Sequence, residues 1–485
     1  MERFHYILTI IAVFAYWILI AGVTARIIFQ RRAIGVSFAW LMVIYIFPFA
    51  GIIAYLLFGE HNIGSKRAAR TQEMFKPYLT WFDHLFHLEQ YKPQFMSSYS
   101  RNINALCINR LGIPSLYNNT LSLLCDPHII LKTIIKDIQQ AKQTIHLEFY
   151  IWHPGGLAND VANSLIEAAN RGVSVKILLD SAGSLAFFKT PWPQLMKSAG
   201  IQLVKVLAVT PFRAFIRRID LRMHRKIIVI DNKIGYTGSM NLVDPDHFNI
   251  HSGVGKWIDI MVRLKGSSVP VLNCIHAWDW EVETKFRELP ILPSNIPTPP
   301  YQSPNCVQVI PSGPGVRDEI IHQVLLQSIY QAQTSITITT PYFIPSEQLI
   351  FGLISAAQKG IDVRIIIPAR TNSIMVEWAS RSFFTELLQA GVKLYRFQQG
   401  LLHTKSVVID ETLSLIGTVN LDMRSLWLNF EVTLAAEEPH FTQELVSLQQ
   451  DYIDDSIQID IESWGHRALW KRIVEQFFYQ FSPLL

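Results

Sequence analysis

One pattern occurs twice in this 485-residue chain. HRKIIVIDNKIGYTGSMN runs from His224 to Asn241, and HTKSVVIDETLSLIGTVN runs from His403 to Asn420. His224 and His403, Lys226 and Lys405, Asp231 and Asp410, Gly238 and Gly417, and Asn241 and Asn420 are each offset by 179, and Ser239 is matched by Thr418. The likeness extends upstream. QAKQTIHLEFYIW from Gln140 is echoed by QAQTSITITTPYF from Gln331, and LIEAANRGVSVKILLD from Leu165 by LISAAQKGIDVRIIIP from Leu353. SAGIQLVKVL from Ser198 is echoed by LQAGVKLYRF from Leu388. A period of about 180 to 190 residues makes each repeat a whole domain, not a solenoid unit.

Within each repeat, β-branched apolar runs alternate with helical patterns. Ile145–Trp152 reads as a strand, Asp160–Ala169 as a helix and Val173–Leu179 as a second strand, which is the succession of an α/β domain. The expected fold is therefore α/β, with two duplicated α/β/α lobes related by a pseudo-two-fold. The expected divisions are a transmembrane hairpin at 1–60, a juxtamembrane helical segment at 61–110, a first lobe at 111–289, a proline-rich linker at 290–304 and a second lobe with a C-terminal amphipathic segment at 305–485.

The hairpin rests on two uncharged runs. Tyr6–Ala25 would be about 30 Å long as a helix, the thickness of a hydrocarbon core. Ala33–Gly59 is the second run, with Pro48 expected to kink it. A charged fraction of only 17% fits a membrane protein. A cleaved signal peptide fits less well, because the first run is preceded by Arg3 alone and a second long apolar run follows at once. Basic residues flank both sides of the hairpin (Arg26, Arg31 and Arg32 against Arg3, Lys66, Arg67 and Arg70), so the charge pattern leaves the orientation open. The four cysteines, Cys107, Cys125, Cys274 and Cys306, have neither the number for a disulfide framework nor the spacing for zinc.

The repeated pattern carries the chemistry. His and Lys two apart on a strand project from one face, so a neutral imidazole that can attack phosphorus lies beside a fixed cation for phosphoryl oxygens. Asp231 and Asp410 have the opposite parity and fall at a turn, which points to scaffolding. Ser239, Asn241, Thr418 and Asn420 offer hydroxyl and amide donors for phosphoryl oxygens, next to glycines that permit close approach. Asp259 and Glu431 follow the two motifs and are expected to fix the tautomers of the histidines. One H-x-K occurs readily by chance; two in matched repeats do not. No cluster has the spacing of a metal-assisted phosphoryl site, so no metal and no cofactor is expected. His247, His251 and His276 read as surface or loop residues.

With these motifs the chain resembles the phospholipase D superfamily, whose two-lobed members carry two H-x-K-x4-D motifs. Within it, YIWHPGG at Tyr150, LLDSAGS at Leu178, TPYFIPS at Thr340, LLHTKS at Leu401, GTVNLDMRSLWLNFE at Gly417 and the terminal FSPLL are similar to the bacterial cardiolipin synthases. The resemblance covers nearly the whole chain, with no departure at a motif position. It implies a bacterial inner-membrane enzyme with phosphatidylglycerol and anionic membrane lipids as partners. Two phosphatidylglycerols would give cardiolipin and glycerol through a phosphatidyl-histidine, in a site counting His224, Lys226, Asp231, His403, Lys405 and Asp410 as catalytic. His224 would be nucleophile and His403 acid then base, although the residues alone allow the reverse. A phospholipase D that uses water shares every motif residue, and a non-catalytic membrane scaffold would be expected to have lost them. Nucleic acid is not an expected partner, and the residues do not indicate an oligomeric state.

Two surface stretches add to this. Arg213, Arg217, Arg218, Arg222, Arg225 and Lys226 interleave with Phe212, Phe215, Ile216 and Ile219, as a contact for anionic lipid would. Near the C-terminus, Trp464, Trp470, Lys471, Arg472, Phe477, Phe478, Tyr479 and Phe481 suit either an interface or a core-packing helix.

Overall fold

The computed structural model describes residues 2–29, 34–55, 59, 65–88, 97–208, 220–292, 305–315 and 319–482. The basic stretch around Arg213, Arg217 and Arg218, the linker from Pro293 to Pro304 and the last three residues lie outside the described residues. The chain divides into two compact units, residues 1–68 with 209–221, and residues 69–208 with 222–485.

The first unit holds α1 (Glu2–Phe29), α2 (Ile34–Ile46) and α3 (Pro48–Ala54). The stretch Arg3–Phe29 is long and apolar enough to cross a membrane. Its Ile20, Val23 and Ile27 pack on Ile44, Ile52 and Tyr55, so the two apolar runs do form a hairpin. The second run is not one continuous span. Pro48 lacks the amide that would continue α2 and instead opens α3, which folds back on α2. A side chain at Gly51 would lie 2.7 Å from the Val43 carbonyl, so only glycine fits there. The expected kink is thus a reversal.

The second unit contains both repeats. The first builds β1 (Asn119–Leu124), β2 (Thr144–Phe149), β3 (Ser174–Asp180), β4 (Gln202–Val206), β5 (Arg222–Met223), β6 (Ile227–Ile230), β7 (Ile234–Gly238), β8 (Trp257–Ile258) and β9 (Met261–Gly266). The second builds β10 (Cys306–Ser312), β11 (Ser335–Thr339), β12 (Phe343–Ile344), β13 (Asp362–Pro368), β14 (Lys393–Phe397), β15 (Leu401–Leu402), β16 (Ser406–Ile409), β17 (Leu413–Gly417), β18 (Leu421–Asp422), β19 (Asn429–Glu437) and β20 (Ser456–Gln458). The sheet orders are β1-β9-β7-β6-β2-β3-β4 and β10-β19-β17-β16-β11-β13-β14-β20, so the sequence duplication is a duplication of topology. In both, the strands joined by helical crossovers are parallel and the motif hairpins are antiparallel.

The motif strand β6 is covered on both faces. Ile228 and Ile230 join the core beneath the helices Pro127–Gln140 and Gly156–Asn170, while Ile227 and Val229 face the core that holds the helix Val269–Thr284. That second core runs on into the other repeat through Val309, Ile336 and Val432, which explains why two lobes make one unit. Of the segment expected to be juxtamembrane, the part from Ala69 onward belongs to this unit. The Tyr78 hydroxyl donates to Glu281 at 3.0 Å, Trp81 Nε1 to the Pro290 carbonyl at 2.9 Å and Ser97 Oγ to Glu437 at 2.7 Å.

Two short pairings cross between repeats and prepare the site. β5 pairs in parallel with β19, and β15 with β8. The segment leading into each H-x-K motif is therefore an edge strand of the opposite repeat.

Candidate active site

Each crossing pairing sets both the backbone and the side chain of a histidine. The amide of His224 donates to the Phe430 carbonyl at 2.9 Å, and the next residue, Glu431, meets His224 Nδ1 through Oε2 at 2.8 Å. The amide of His403 donates to the Ile258 carbonyl at 2.8 Å, and the next residue, Asp259, meets His403 Nδ1 through Oδ1 at 2.6 Å. The expected pairing of these acids with the histidines is present, and it is crosswise: each repeat supplies the carboxylate for the other's imidazole. An ionised carboxylate only accepts, so each Nδ1 carries the hydrogen and each Nε2 keeps a lone pair.

The lysines lie on the same face, as the parity requires. Lys226 Nζ donates to the His224 carbonyl at 2.9 Å and Lys405 Nζ to the His403 carbonyl at 2.5 Å. All four side chains are buried, and the charges of Lys226 and Lys405 bear on each other. Tyr150 lies against His224 with ring centroids 5.0 Å apart, and Trp257 against His403 at 4.4 Å.

Comparison with known proteins agrees with this construction. A family described as "Cardiolipin synthase, PLD-like domain" matches residues 134–248 and 325–451, and one described as "Phospholipase_D-nuclease N-terminal" matches residues 7–60. The chain is 49% identical to cardiolipin synthase A of Yersinia pseudotuberculosis serotype O:1b (strain IP 31758), over 100% of both chains. It is equally similar to cardiolipin synthase A of Yersinia pestis bv. Antiqua (strain Angola), again over 100% of both. The chain belongs to the cardiolipin synthase family of the phospholipase D superfamily. The crystal structure of the phosphatidylserine synthase of Haemophilus influenzae Rd KW20 superposes with a TM-score of 0.57 at 15% identity, covering 80% of this chain and 98% of that one, which is a likeness of fold.

In this cardiolipin synthase family member, burial governs the site's protonation. It pushes His224 down to about 4 and His403 down to about 3, against the upward pull of Glu431 and Asp259. Both imidazoles are neutral at neutral pH. Burial also lowers Lys226 to about 8 and Lys405 to about 7, with Lys226 adding like-charge repulsion at Lys405. Burial alone would raise Asp259, but His403, Lys405 and the Ser239 hydroxyl more than offset it and hold it below the usual carboxylate range. With both histidines neutral, two lysines and two carboxylates share one buried site.

The hydroxyls expected to bind phosphoryl oxygens have other work. Ser239 Oγ donates to Asp259 at 2.6 Å and accepts from the Ile260 amide at 2.9 Å. Thr418 Oγ1 donates to Glu431 at 2.5 Å and accepts from the Val432 amide at 3.0 Å. Their hydrogens hold the carboxylates that hold the histidines. The motif glycines serve the neighbouring strand: a Cβ at Gly238 would lie 2.4 Å from the Ile260 carbonyl, and one at Gly417 2.2 Å from that of Val432. Asn241 Oδ1 accepts from the Ile151 amide at 3.2 Å, and Asn420 Nδ2 donates to Ser425 at 3.2 Å.

Asp231 and Asp410 stand at the far ends of their strands. Both adopt left-handed φ (50° and 51°) in the hairpin turn. Asp231 accepts from the amides of Lys142 (2.9 Å), Gln143 (2.7 Å) and Thr144 (2.9 Å). Asp410 accepts from those of Gln333 (2.7 Å), Thr334 (2.7 Å) and Ser335 (2.8 Å). They fasten the hairpins to β2 and β11, the scaffolding role to which their parity points.

Arg225 and Lys226 were expected in a surface contact for anionic lipid, but both are buried. Arg225 donates through Nε to the Glu431 carbonyl at 3.0 Å and pairs with Asp279. Its parity, opposite to His224, was the available signal. His276 is a further correction. It is buried, not superficial, and stacks on His146 with centroids 4.9 Å apart; His247 and His251 are exposed as expected. Among the described residues, His128, Asp244 and Asp246 could approach one cation. Their atoms are committed elsewhere, Asp246 to His128 at 2.9 Å and Lys256 at 2.6 Å and Asp244 to the Leu157 amide at 2.8 Å.

Glu431→Gln or Asp259→Asn should lower turnover by on the order of a hundredfold or more, because the neighbouring imidazole loses its tautomer control. Asp231→Ala should do the reverse, lowering unfolding stability by about 1–2 kcal/mol through unpaired amides while the folded enzyme keeps its turnover. Kinetics and thermal melts on the same samples separate the two roles, and equal loss of turnover in all three would contradict them. The lysine charges give a pH signature. Their pKa values are depressed, so the cations are present below about 7 and 8 and lost above. The kcat/KM for an anionic lipid should fall as pH rises through that range; a flat profile from about pH 6 to about pH 9 would contradict it.

Proposed function

We propose that this chain is a membrane-anchored cardiolipin synthase that transfers a phosphatidyl group between two phosphatidylglycerols. The observation that carries the reading is the crossed pair of neutral, Nδ1-protonated histidines, each flanked by a buried lysine. One Nε2 attacks phosphorus, and the bond from phosphorus to the headgroup glycerol breaks. The other histidine, which takes up a proton at Nε2 when the anionic substrate binds, supplies the proton with which glycerol departs. A second phosphatidylglycerol then gives its hydroxyl proton to that histidine, its oxygen attacks phosphorus and the P–N bond breaks, yielding cardiolipin. Lys226 and Lys405 offset charge on the non-bridging oxygens throughout. His224 as nucleophile follows the family pattern, and the near-symmetry of the two clamps supports either order.

We further propose that the membrane is the bacterial inner membrane and that both apolar runs lie in it. The packing of α2 and α3 on α1 supports this.

Membranes containing the protein should convert labelled phosphatidylglycerol to cardiolipin with release of free glycerol, and His224→Ala should abolish both products. Phosphatidic acid as the sole product would replace the transferase by a hydrolase, in which water takes the acceptor's place.

A further inference from the structure

The helix Leu469–Tyr479 is amphipathic the wrong way round for a helix docked on a protein core. Its one fully buried side chain is charged: Glu475 is 1% exposed, with Arg381 Nε at 3.1 Å and Arg467 Nε at 3.0 Å on its two oxygens. Phe478 and Tyr479 at its end pack on the core, but four apolar residues point away from the protein. Leu469 is 69% exposed, Trp470 56%, Ile473 62% and Phe477 58%. Leu469, Ile473 and Phe477 follow one another at four-residue spacing and form a crest, with Trp470 on one flank and Arg472 on the other. The neighbouring helix Ile374–Arg381 extends it, with Ile374 exposed and Trp378 against Trp470 at 6.0 Å between centroids. Water is a poor medium for such a surface.

We propose that this crest docks the catalytic unit on the interface of an anionic phospholipid bilayer. Two observations select lipid as the occupant. Arg472 is exposed beside the crest, where an interfacial helix meets acidic headgroups, and Trp470 is the residue type that settles at that depth. The Arg381–Glu475–Arg467 cluster pins the polar side of the helix to the protein and leaves only the apolar side to insert. The docking surface rests on the reading that the substrates are membrane lipids, and not on which histidine attacks.

The test uses the full chain, with its N-terminal helices, reconstituted in vesicles of phosphatidylglycerol and phosphatidylethanolamine. A spin label is placed by Ile473→Cys in a Cys125→Ser background, the other three cysteines being buried. A matched label at the exposed Glu167 serves as reference. In vesicles, dissolved oxygen should reach the Ile473 label while a water-soluble nickel chelate is shut out, and the Glu167 label should stay open to nickel. The double change Ile473→Glu with Phe477→Glu should slow turnover of bilayer phosphatidylglycerol about tenfold or more, and leave turnover of a monomeric short-chain phosphatidylglycerol unchanged. Equal nickel access at both labels would overturn the proposal. So would dipolar broadening between Ile473 labels, which would show a second copy covering the crest, or equal loss on both substrates. The accessibility readout does not need turnover, so failure of the transferase reading would be seen separately.

Discussion

Two hydrogen bonds, His224 to Glu431 and His403 to Asp259, hold the remainder of the site in place. Each crosses from one repeat to the other, and each is backed by a backbone bond one residue earlier on the same strand. Neither repeat contains a complete unit of histidine, tautomer-fixing acid and lysine. The duplication therefore yields one site, not two. Removing either acid would leave a buried imidazole of the opposite repeat without its acceptor, so the two lobes depend on each other for function as well as for their shared core.

The electrostatics follow from the same burial. Four cationic or potentially cationic groups are brought together with two carboxylates, and burial disfavours the charged form of the histidines and lysines alike. A bound phosphodiester anion tips this balance toward the protonated forms. Its binding favours the lysine cations and prepares one histidine to take up a proton, so substrate binding and activation are a single electrostatic event.

Much of this was legible in the residues. The 179-residue offset gave the duplication, and the two-residue spacing of His224 and Lys226 gave their common face. The parity of Asp231 removed it from that face, and its three backbone amides explain why the position is an acid at all. What could not be read was the crossing. Asp259 follows His224 along the chain, and nothing local shows that it serves His403 instead; that depends on β8 pairing with β15, a contact between segments about 140 residues apart. The bonds of Ser239 to Asp259 and of Thr418 to Glu431 were not legible for the same reason, because a hydroxyl beside a motif glycine looks free until the neighbouring strand is in place. Gly51 and Pro48 show the limit in the first unit, where an uncharged run turns back on itself.

A single crossed site predicts a single covalent intermediate. The most direct measurement is to trap the enzyme during turnover of a short-chain phosphatidylglycerol, quench at alkaline pH to preserve a P–N bond, and weigh and map the modified peptides. One phosphatidyl group per chain, on Nε2 of either His224 or His403 but not both, is the predicted result. Two groups per chain, one on each histidine, would mean two independent sites, and adducts at neither would remove the histidine pair from the chemistry.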